Sequence, residues 1–261
     1  MGALHAGHAA NIQAACEGSD SVVVSIFANP LQFGSAEEWL KYPRALDADF
    51  DLCQSLGVDL VWAPDVETMY PQGGVQVRVA AGESANQLEG PSRPGHFDGM
   101  LTVVAKLFGS VRPDQAFFGE KDYQQLTLIR RMVSDLDMPV DVRSVSTVRE
   151  PDGLALSSRN VFLSEEQRQD AVALSRALVA GQRAAGSAEA VLLAARNALA
   201  EAEGIVVDYL ELRDVDLGSA PLSGAARLLV AGTIGGIRLI DNAPIELSTP
   251  IELNAAIELK R

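Results

Sequence analysis

The pattern of apolar and polar positions changes character halfway along the chain. In the first half, short β-branched or aromatic runs alternate with stretches of helical periodicity. Residues 21–28 (SVVVSIFA) form a continuous apolar run that stops at Asn29-Pro30, as a strand buried on both faces of a parallel sheet does. Residues 44–56 place Leu46, Phe50, Leu52 and Cys53 near helical spacing and end at Gly57. Residues 58–63 (VDLVWA) read as the next strand, closed by Pro64. A helix over 97–111, a strand over 114–118 running into Gly119-Glu120-Lys121-Asp122, a helix over 123–136 and a strand over 139–145 follow. Alternation in this order builds parallel sheets with right-handed crossovers.

The second half is patterned differently. Ser164 with Gln167 three residues on is a capping-box signature, and it opens an amphipathic helix to about residue 184. Ser187 can cap a second, alanine-rich helix that ends at Gly204. Three strand candidates complete the unit, over 205–213, 226–233 and 236–241. The expected fold class is therefore α/β: a Rossmann-like parallel sheet domain over 1–147 and a smaller α+β domain over 148–261, with 148–158 as the crossing. The tail carries PIEL, PIEL and AIEL, too short a series to be a repeat array. A mononucleotide-binding half normally opens with a strand that feeds a phosphate-binding turn. This chain opens at Met1-Gly2-Ala3-Leu4, already in such a turn, so the first strand is expected to be missing.

Composition narrows the function classes. Of 261 residues, 48% are apolar and 21% charged, enough apolar surface for a core and too little polarity for disorder. The net charge is −14 and the basic residues are scattered, with nothing longer than pairs such as Arg130-Arg131, so the basic stripe of a nucleic-acid binder is lacking. The two cysteines, Cys16 and Cys53, form no CxxC or zinc spacing and read as reduced thiols. There is no basic segment followed by an apolar stretch at the start, and no run of about eighteen apolar residues. A cytoplasmic protein without a membrane segment is expected.

Four segments can carry chemistry. His5-Ala6-Gly7-His8 puts two of the three histidines at the start of a predicted helix, where backbone N–H groups and the macrodipole favour an anion. Taken alone, that motif fits a polyphosphate site and a pair of surface histidines about equally. Gly119-Glu120-Lys121-Asp122 follows an apolar strand, on the edge where open α/β sheets bind ligands, with Gln125 one helical turn on. Alone it is an ordinary charged turn. Ser157, Ser158 and Arg159 follow a glycine turn and suit a loop that closes over phosphates; alone they are an ordinary connection. Asn29 and Gln32 flank Pro30 at a strand end, where amides can read the hydroxyls and carboxylate of a small acid, or simply cap a turn.

Together and in this order the segments say more. HxGH, NPLQF at 29–33, RPGHFDG at 93–99, FFGEKDYQQL at 117–126 and LALSSRN at 154–160 resemble the motif series of the pantothenate synthetases. YPR at 42–44, MYP at 69–71, RLLVA at 227–231 and RLIDN at 238–242 are similar to that family as well, so the likeness spans nearly the whole chain. The resemblance implies a cytoplasmic homodimer of the HxGH nucleotidylyltransferase group, with a smaller domain closing over the site. It implies an ATP-dependent ligase that joins pantoate to β-alanine through a pantoyl adenylate, releasing pyrophosphate and AMP, with Mg²⁺ bridging the phosphates. It further implies that Met1, Gly2, Ala3, Leu4, His5, Gly7 and His8 line the ATP site, with His8 as proton donor. His5, Lys121, Ser157, Ser158 and Arg159 would contact phosphates, while Gly119, Glu120 and Asp122 complete the nucleotide loop. Val148 and Leu156 would lie near adenine or ribose, Gln32 and Gln125 would hold pantoate, and Gln32 also β-alanine. Another HxGH nucleotidylyltransferase and an inactive nucleotide-binding remnant are the alternatives; Gln32 and Gln125 disfavour the first, and turnover would exclude the second.

Overall fold

The β-branched run after Ser21 forms a strand, but a short one. In the computed structural model, which describes residues 2–71, 74–184 and 186–248, β1 spans Val23–Ser25 and pairs in parallel with β2, Leu60–Trp62. Helix α1 (Ala6–Gly18) precedes β1. Between the strands lie a 3₁₀ turn (Pro30–Gln32), α2 (Ala36–Lys41) and α3 (Leu46–Ser55). Two one-turn helices follow, α4 (Val66–Met69) and α5 (Glu89–Ser92), then the long α6 (His96–Val111). Strand β3 (Gln115–Gly119), α7 (Tyr123–Asp135) and β4 (Asp141–Val145) close this part, with β3 and β4 parallel and Gly119 opposite Val145.

The strands are parallel, as the alternation predicts. Among the described residues, β1–β2 and β3–β4 are separate two-stranded sheets. Helix α1 packs across β3, and its Ile12 is buried with Val22, Val24, Ile26 and Cys53 around β1. A second apolar cluster lies under α6 and α7, where Tyr70, Phe97, Met100, Leu101, Val104 and Ile129 pack with Phe118 and Val142 of the sheet. These helices are amphipathic, and burying their apolar stripe is what fixes them against the strands.

The chain divides into two compact units, Met1–Leu163 and Ser164–Arg261. The boundary expected at 147/148 thus lies inside the first unit, because the segment after Thr147 folds back on itself. The Leu156 N–H donates to the Val148 carbonyl, Arg149 bridges Ala155, and Leu154 and Ala155 are buried. In the second unit, Ser164 caps α8 (Glu165–Arg183) through both bonds of the predicted capping box: Gln167 N–H to Ser164 Oγ at 3.2 Å and Ser164 N–H to Gln167 Oε1 at 3.0 Å. Helix α9 (Ala188–Leu199) starts at Ser187. Both pack within a unit whose antiparallel sheet runs β5 (Ile205–Asp214), β6 (Gly224–Ile234) and β7 (Ile237–Leu247). Leu174, Leu178, Val191, Leu228, Val230 and Ile234 are almost fully buried there. No helix among the described residues is long and apolar enough to cross a membrane.

Candidate active site

Every candidate residue within the described chain lies in the first unit; Met1 and the repetitive tail beyond 248 lie outside the described residues. The start of α1 is capped by imidazoles. The Gly7 N–H donates to His5 Nδ1 at 3.1 Å, and the His5 N–H donates to His8 Nδ1 at 3.2 Å. Both Nδ1 atoms are therefore acceptors, so each neutral ring carries its proton on Nε2 and has that N–H left for a ligand. The ring centroids are 4.1 Å apart. Gly7 permits this, since a Cβ there would lie 2.9 Å from His5 Cε1.

Burial, and then the neighbouring His5, push the His8 pKa down to about 3. Burial and the charge of Lys121 lower that of His5. In the ligand-free protein both rings are neutral at pH 7 and act as hydrogen-bond donors. A bound polyphosphate is anionic and raises both values, which is the direction a proton donor needs.

The turn before α1 is held from elsewhere. Asp49, 2% exposed in the first turn of α3, accepts from the Ala3 N–H at 2.9 Å through one oxygen and from the Leu4 N–H at 2.6 Å through the other. Ala3 sits in the left-handed region at φ 51°, a conformation an L-residue adopts only when its surroundings insist.

Strand β3 delivers Lys121 and Asp122 on a 3₁₀ turn, Glu120–Asp122, just beyond Gly119. Asp122 keeps open surface yet is walled by protein. Desolvation raises its carboxyl pKa, but Lys121, Arg159, Arg93 and His96 around it prevail, and the net shift is downward. His5 and His8 feel the same Lys121 and Asp122. The Ser157–Arg159 loop reaches this place too: Leu156 lies beside Gly7, and Tyr42 hydrogen-bonds Ser158 and feels Arg159. The loop is anchored by Asn160, whose Nδ2 donates to Glu150 Oε1 at 2.8 Å and to the Ala155 carbonyl at 3.1 Å.

Gln32 is set by its neighbours. Buried Asn29 donates from Nδ2 to Gln32 Oε1 at 2.9 Å and to the Gly99 carbonyl at 3.0 Å, while its Oδ1 accepts from Tyr70 O–H at 2.7 Å and the Leu31 N–H at 3.2 Å. With its oxygen occupied, Gln32 presents its NH₂, a donor suited to a carboxylate or hydroxyl oxygen. His96, 7% exposed, holds the Gln32 backbone carbonyl at 2.9 Å through Nδ1. Burial, then the charge of Arg93, lower its pKa to about 4. Gly99 lets α6 approach: a Cβ there would stand 2.2 Å from the Leu31 carbonyl oxygen.

The family model described as pantoate–β-alanine ligase matches residues 1–244. The chain belongs to the pantoate–β-alanine ligase family. Among curated relatives, a pantothenate synthetase of Nocardia farcinica is 57% identical over 253 residues, covering 97% of this chain and 79% of its own length. That of Salinispora arenicola is 54% identical, covering 95% and 89%. Among solved structures, a pantothenate synthetase from Thermus thermophilus superposes with a TM-score of 0.88 at 50% identity, covering 93% of this chain and 90% of its own. A pantoate–β-alanine ligase from Francisella tularensis, described as complexed with β,γ-ATP and β-alanine, gives 0.76 at 37% identity, covering 93% and 86%.

Against this ligase family, the structure brings His5, His8, Lys121, Asp122 and Arg159 into one electrostatic group, with Gly7, Leu156 and Ser158 beside it. Gly2, Ala3 and Leu4 form the turn leading in, and Glu120 shares the turn of Lys121. Ser157 accepts from the Arg159 N–H at 3.2 Å. Val148 pairs with Leu156, and Gln125 lies in the first turn of α7. Sequence reasoning missed Asp49, Tyr70 and the positions of Arg93 and His96. A signal existed for three of them, since RPGHFDG carries Arg93 and His96 and MYP carries Tyr70; Asp49 had none.

Proposed function

We propose that this chain catalyses the ATP-driven condensation of pantoate with β-alanine through pantoyl adenylate. The observation that carries the reading is the pairing of two neutral imidazoles, both with Nδ1 tied into the start of α1, with Lys121 and Arg159 around Asp122. Such a group suits a triphosphate whose charge grows at the departing end.

In the first step a pantoate carboxylate oxygen attacks the α-phosphorus and the bond from it to the α,β-bridging oxygen breaks, so the electron pair leaves with pyrophosphate. His5, His8, Lys121, Ser157, Ser158 and Arg159 hold the phosphates, and His8 gives a proton to the departing end. Gly2, Ala3, Leu4, Gly7, Gly119, Glu120 and Asp122 shape the nucleotide pocket, with Val148 and Leu156 toward the nucleoside. In the second step the β-alanine amine attacks the acyl carbon, the C–O bond to AMP breaks, and the amine loses its proton. Gln32 and Gln125 orient pantoate, and Gln32 then meets β-alanine. No protein nucleophile is needed, so positioning and charge stabilisation supply the catalysis.

Among the described residues no group of three or more His, Cys, Asp or Glu is placed to hold a metal. Mg²⁺ fits this arrangement as the counter-ion carried by the phosphates, which demands few protein ligands. We read the two parallel pairs as parts of a Rossmann-like arrangement and the protein as a cytoplasmic homodimer. The test is AMP formation dependent on ATP, pantoate and β-alanine together. His8→Ala is expected to reduce pyrophosphate release strongly while the melting temperature holds. Pyrophosphate release at the wild-type rate in that variant would overturn the role of His8, and a wild-type chain that makes no AMP would overturn the ligase reading.

A further inference from the structure

Gln124 is 4% exposed in the first turn of α7, directly before Gln125, and has no role in the chemistry above. Its amide is fully used. Nε2 donates to the Ser84 carbonyl at 3.0 Å and the Gln87 carbonyl at 2.9 Å, while Oε1 accepts from the Glu89 N–H at 3.0 Å. Only one orientation does this, since a flipped amide would set its oxygen against two carbonyls. The three bonds stitch a 3₁₀ turn, Gly82–Asn86, and the start of α5 onto the start of α7. The stitched loop is tightly wound. Leu88, between two of the bonded groups, is buried at φ 55° and ψ −108°, which an L-residue adopts only under constraint. Gly90 is pressed onto the Ala85 carbonyl, where there is no room for a Cβ.

The loop leads to Gln32 in short steps. The Gly90 carbonyl accepts from the Arg93 N–H at 3.1 Å, and the Arg93 carbonyl from the His96 N–H at 3.1 Å. Arg93 Nη2 and His96 Nδ1 then converge on the Gln32 carbonyl, at 3.5 and 2.9 Å. Gln125 starts from the same helical turn as Gln124. We propose that Gln124 is a positioning residue for pantoate: its amide ties the loop behind Gln32 to the turn of α7 that carries Gln125, and so sets the spacing of the two. The inference rests on the ligase reading and on the pantoate role proposed for those two glutamines. A two-point hold on a small acid depends on that spacing, because a displacement of about 1 Å breaks one of its hydrogen bonds. The turn into His5 is held by Asp49 instead, so ATP is expected to be spared.

Gln124→Glu is the test, because it changes the donors and almost nothing else. Ionised, the carboxylate has no proton for Ser84 and Gln87 and faces both carbonyls; protonated, it keeps one O–H and an acceptor for Glu89. Burial raises the pKa of such a carboxyl, so both forms are reached between about pH 5.5 and about pH 8. At the upper pH the KM for pantoate should rise about tenfold or more over wild type, with kcat at saturating pantoate and the KM for ATP changed by no more than about threefold. At the lower pH the excess over wild type should shrink to a few-fold. Should that variant not fold at the upper pH, Gln124→Asn, which keeps the amide one methylene short, is expected to give the same split at every pH. A wild-type pantoate KM in a folded variant would overturn the proposal. So would equal rises in the pantoate and ATP KM values, which mean general loosening, or a failure of both variants to fold, which means an amide the fold itself requires. In each of these cases wild type still makes AMP and only the role of Gln124 falls; should wild type make none, the ligase reading falls and takes it along.

Discussion

Removing the Asp49 carboxylate should disable adenylation while sparing the second half-reaction. Its two oxygens accept separate N–H groups, from Ala3 at 2.9 Å and Leu4 at 2.6 Å, on the turn that leads into His5. A hydrogen bond to a charged acceptor contributes about 1.5–3 kcal/mol, and Ala3 and Leu4 are only half-buried, so water recovers part of the loss in Asp49→Ala. The low end of the range, about 3 kcal/mol for the pair, is the working figure. If all of it falls on the turn, the ordered population and hence kcat/KM for adenylation drop by up to roughly a hundredfold. Left-handed Ala3 adds to the tendency to open, because its backbone conformation is strained without the clamp. Asp49→Asn keeps one acceptor, and a drop of about tenfold is expected. The assay is pyrophosphate release from ATP and pantoate without β-alanine, set against acyl transfer from supplied pantoyl adenylate to β-alanine. Acyl transfer should change by only a few-fold. If Asp49→Ala releases pyrophosphate within twofold of wild type and melts normally, the clamp is not what shapes the phosphate turn.

Three further outcomes are expected. His96 has its folded pKa depressed to about 4 from 6.5, so stability is fully present above pH 6.5 and falls as the unfolded chain binds a proton the folded one refuses. Between those values the loss through His96 reaches about 3 kcal/mol, and His96→Asn should flatten that limb of a urea-melt profile against pH; an unchanged slope would contradict it. Gly99→Ala forces the Leu31 carbonyl away and displaces Gln32, so the KM for pantoate should rise about tenfold with that for ATP little changed; equal effects on both would point to general loosening. In the second unit, Arg227 is buried and donates from Nε to Asn242 Oδ1 at 2.7 Å, so Arg227→Met should lower stability by about 1–3 kcal/mol in chemical denaturation, and a neutral result would mean the buried amide finds another partner.

What was legible in the sequence was whatever is decided within a few residues. The capping box of Ser164 and Gln167 and the strand–turn–helix around Gly119 are local choices, and each begins or ends as its punctuation says, whereas the run before Asn29-Pro30 is a strand only over Val23–Ser25. Helices α2, α4 and α5 escaped because six, four and four residues are too few for a periodicity to register. Strand β7 was expected to stop near Asp241, yet it continues to Leu247 through Pro244. Proline ends a central strand for want of an N–H, but among the described residues β7 is an edge strand, where a proline is tolerated.

The site divides along the same line. HAGH, GEKD and SSR are short motifs whose members lie within a turn of each other, so they could be recognised as a series, although each alone read equally well as a surface pair, a charged turn or a connection. The groups that aim them were not legible. Asp49 at the start of a helix looks like ordinary compensation of the dipole, and its use lies 45 and 46 residues away along the chain. Asn29 reads as a turn cap, and it is one, but the same amide also fixes Gln32 and reaches the Gly99 carbonyl 70 residues on. Positioning is written in contacts between distant segments, so variants at Asp49 and Gly99 test the active-site reading more sharply than further substitutions within the motifs would.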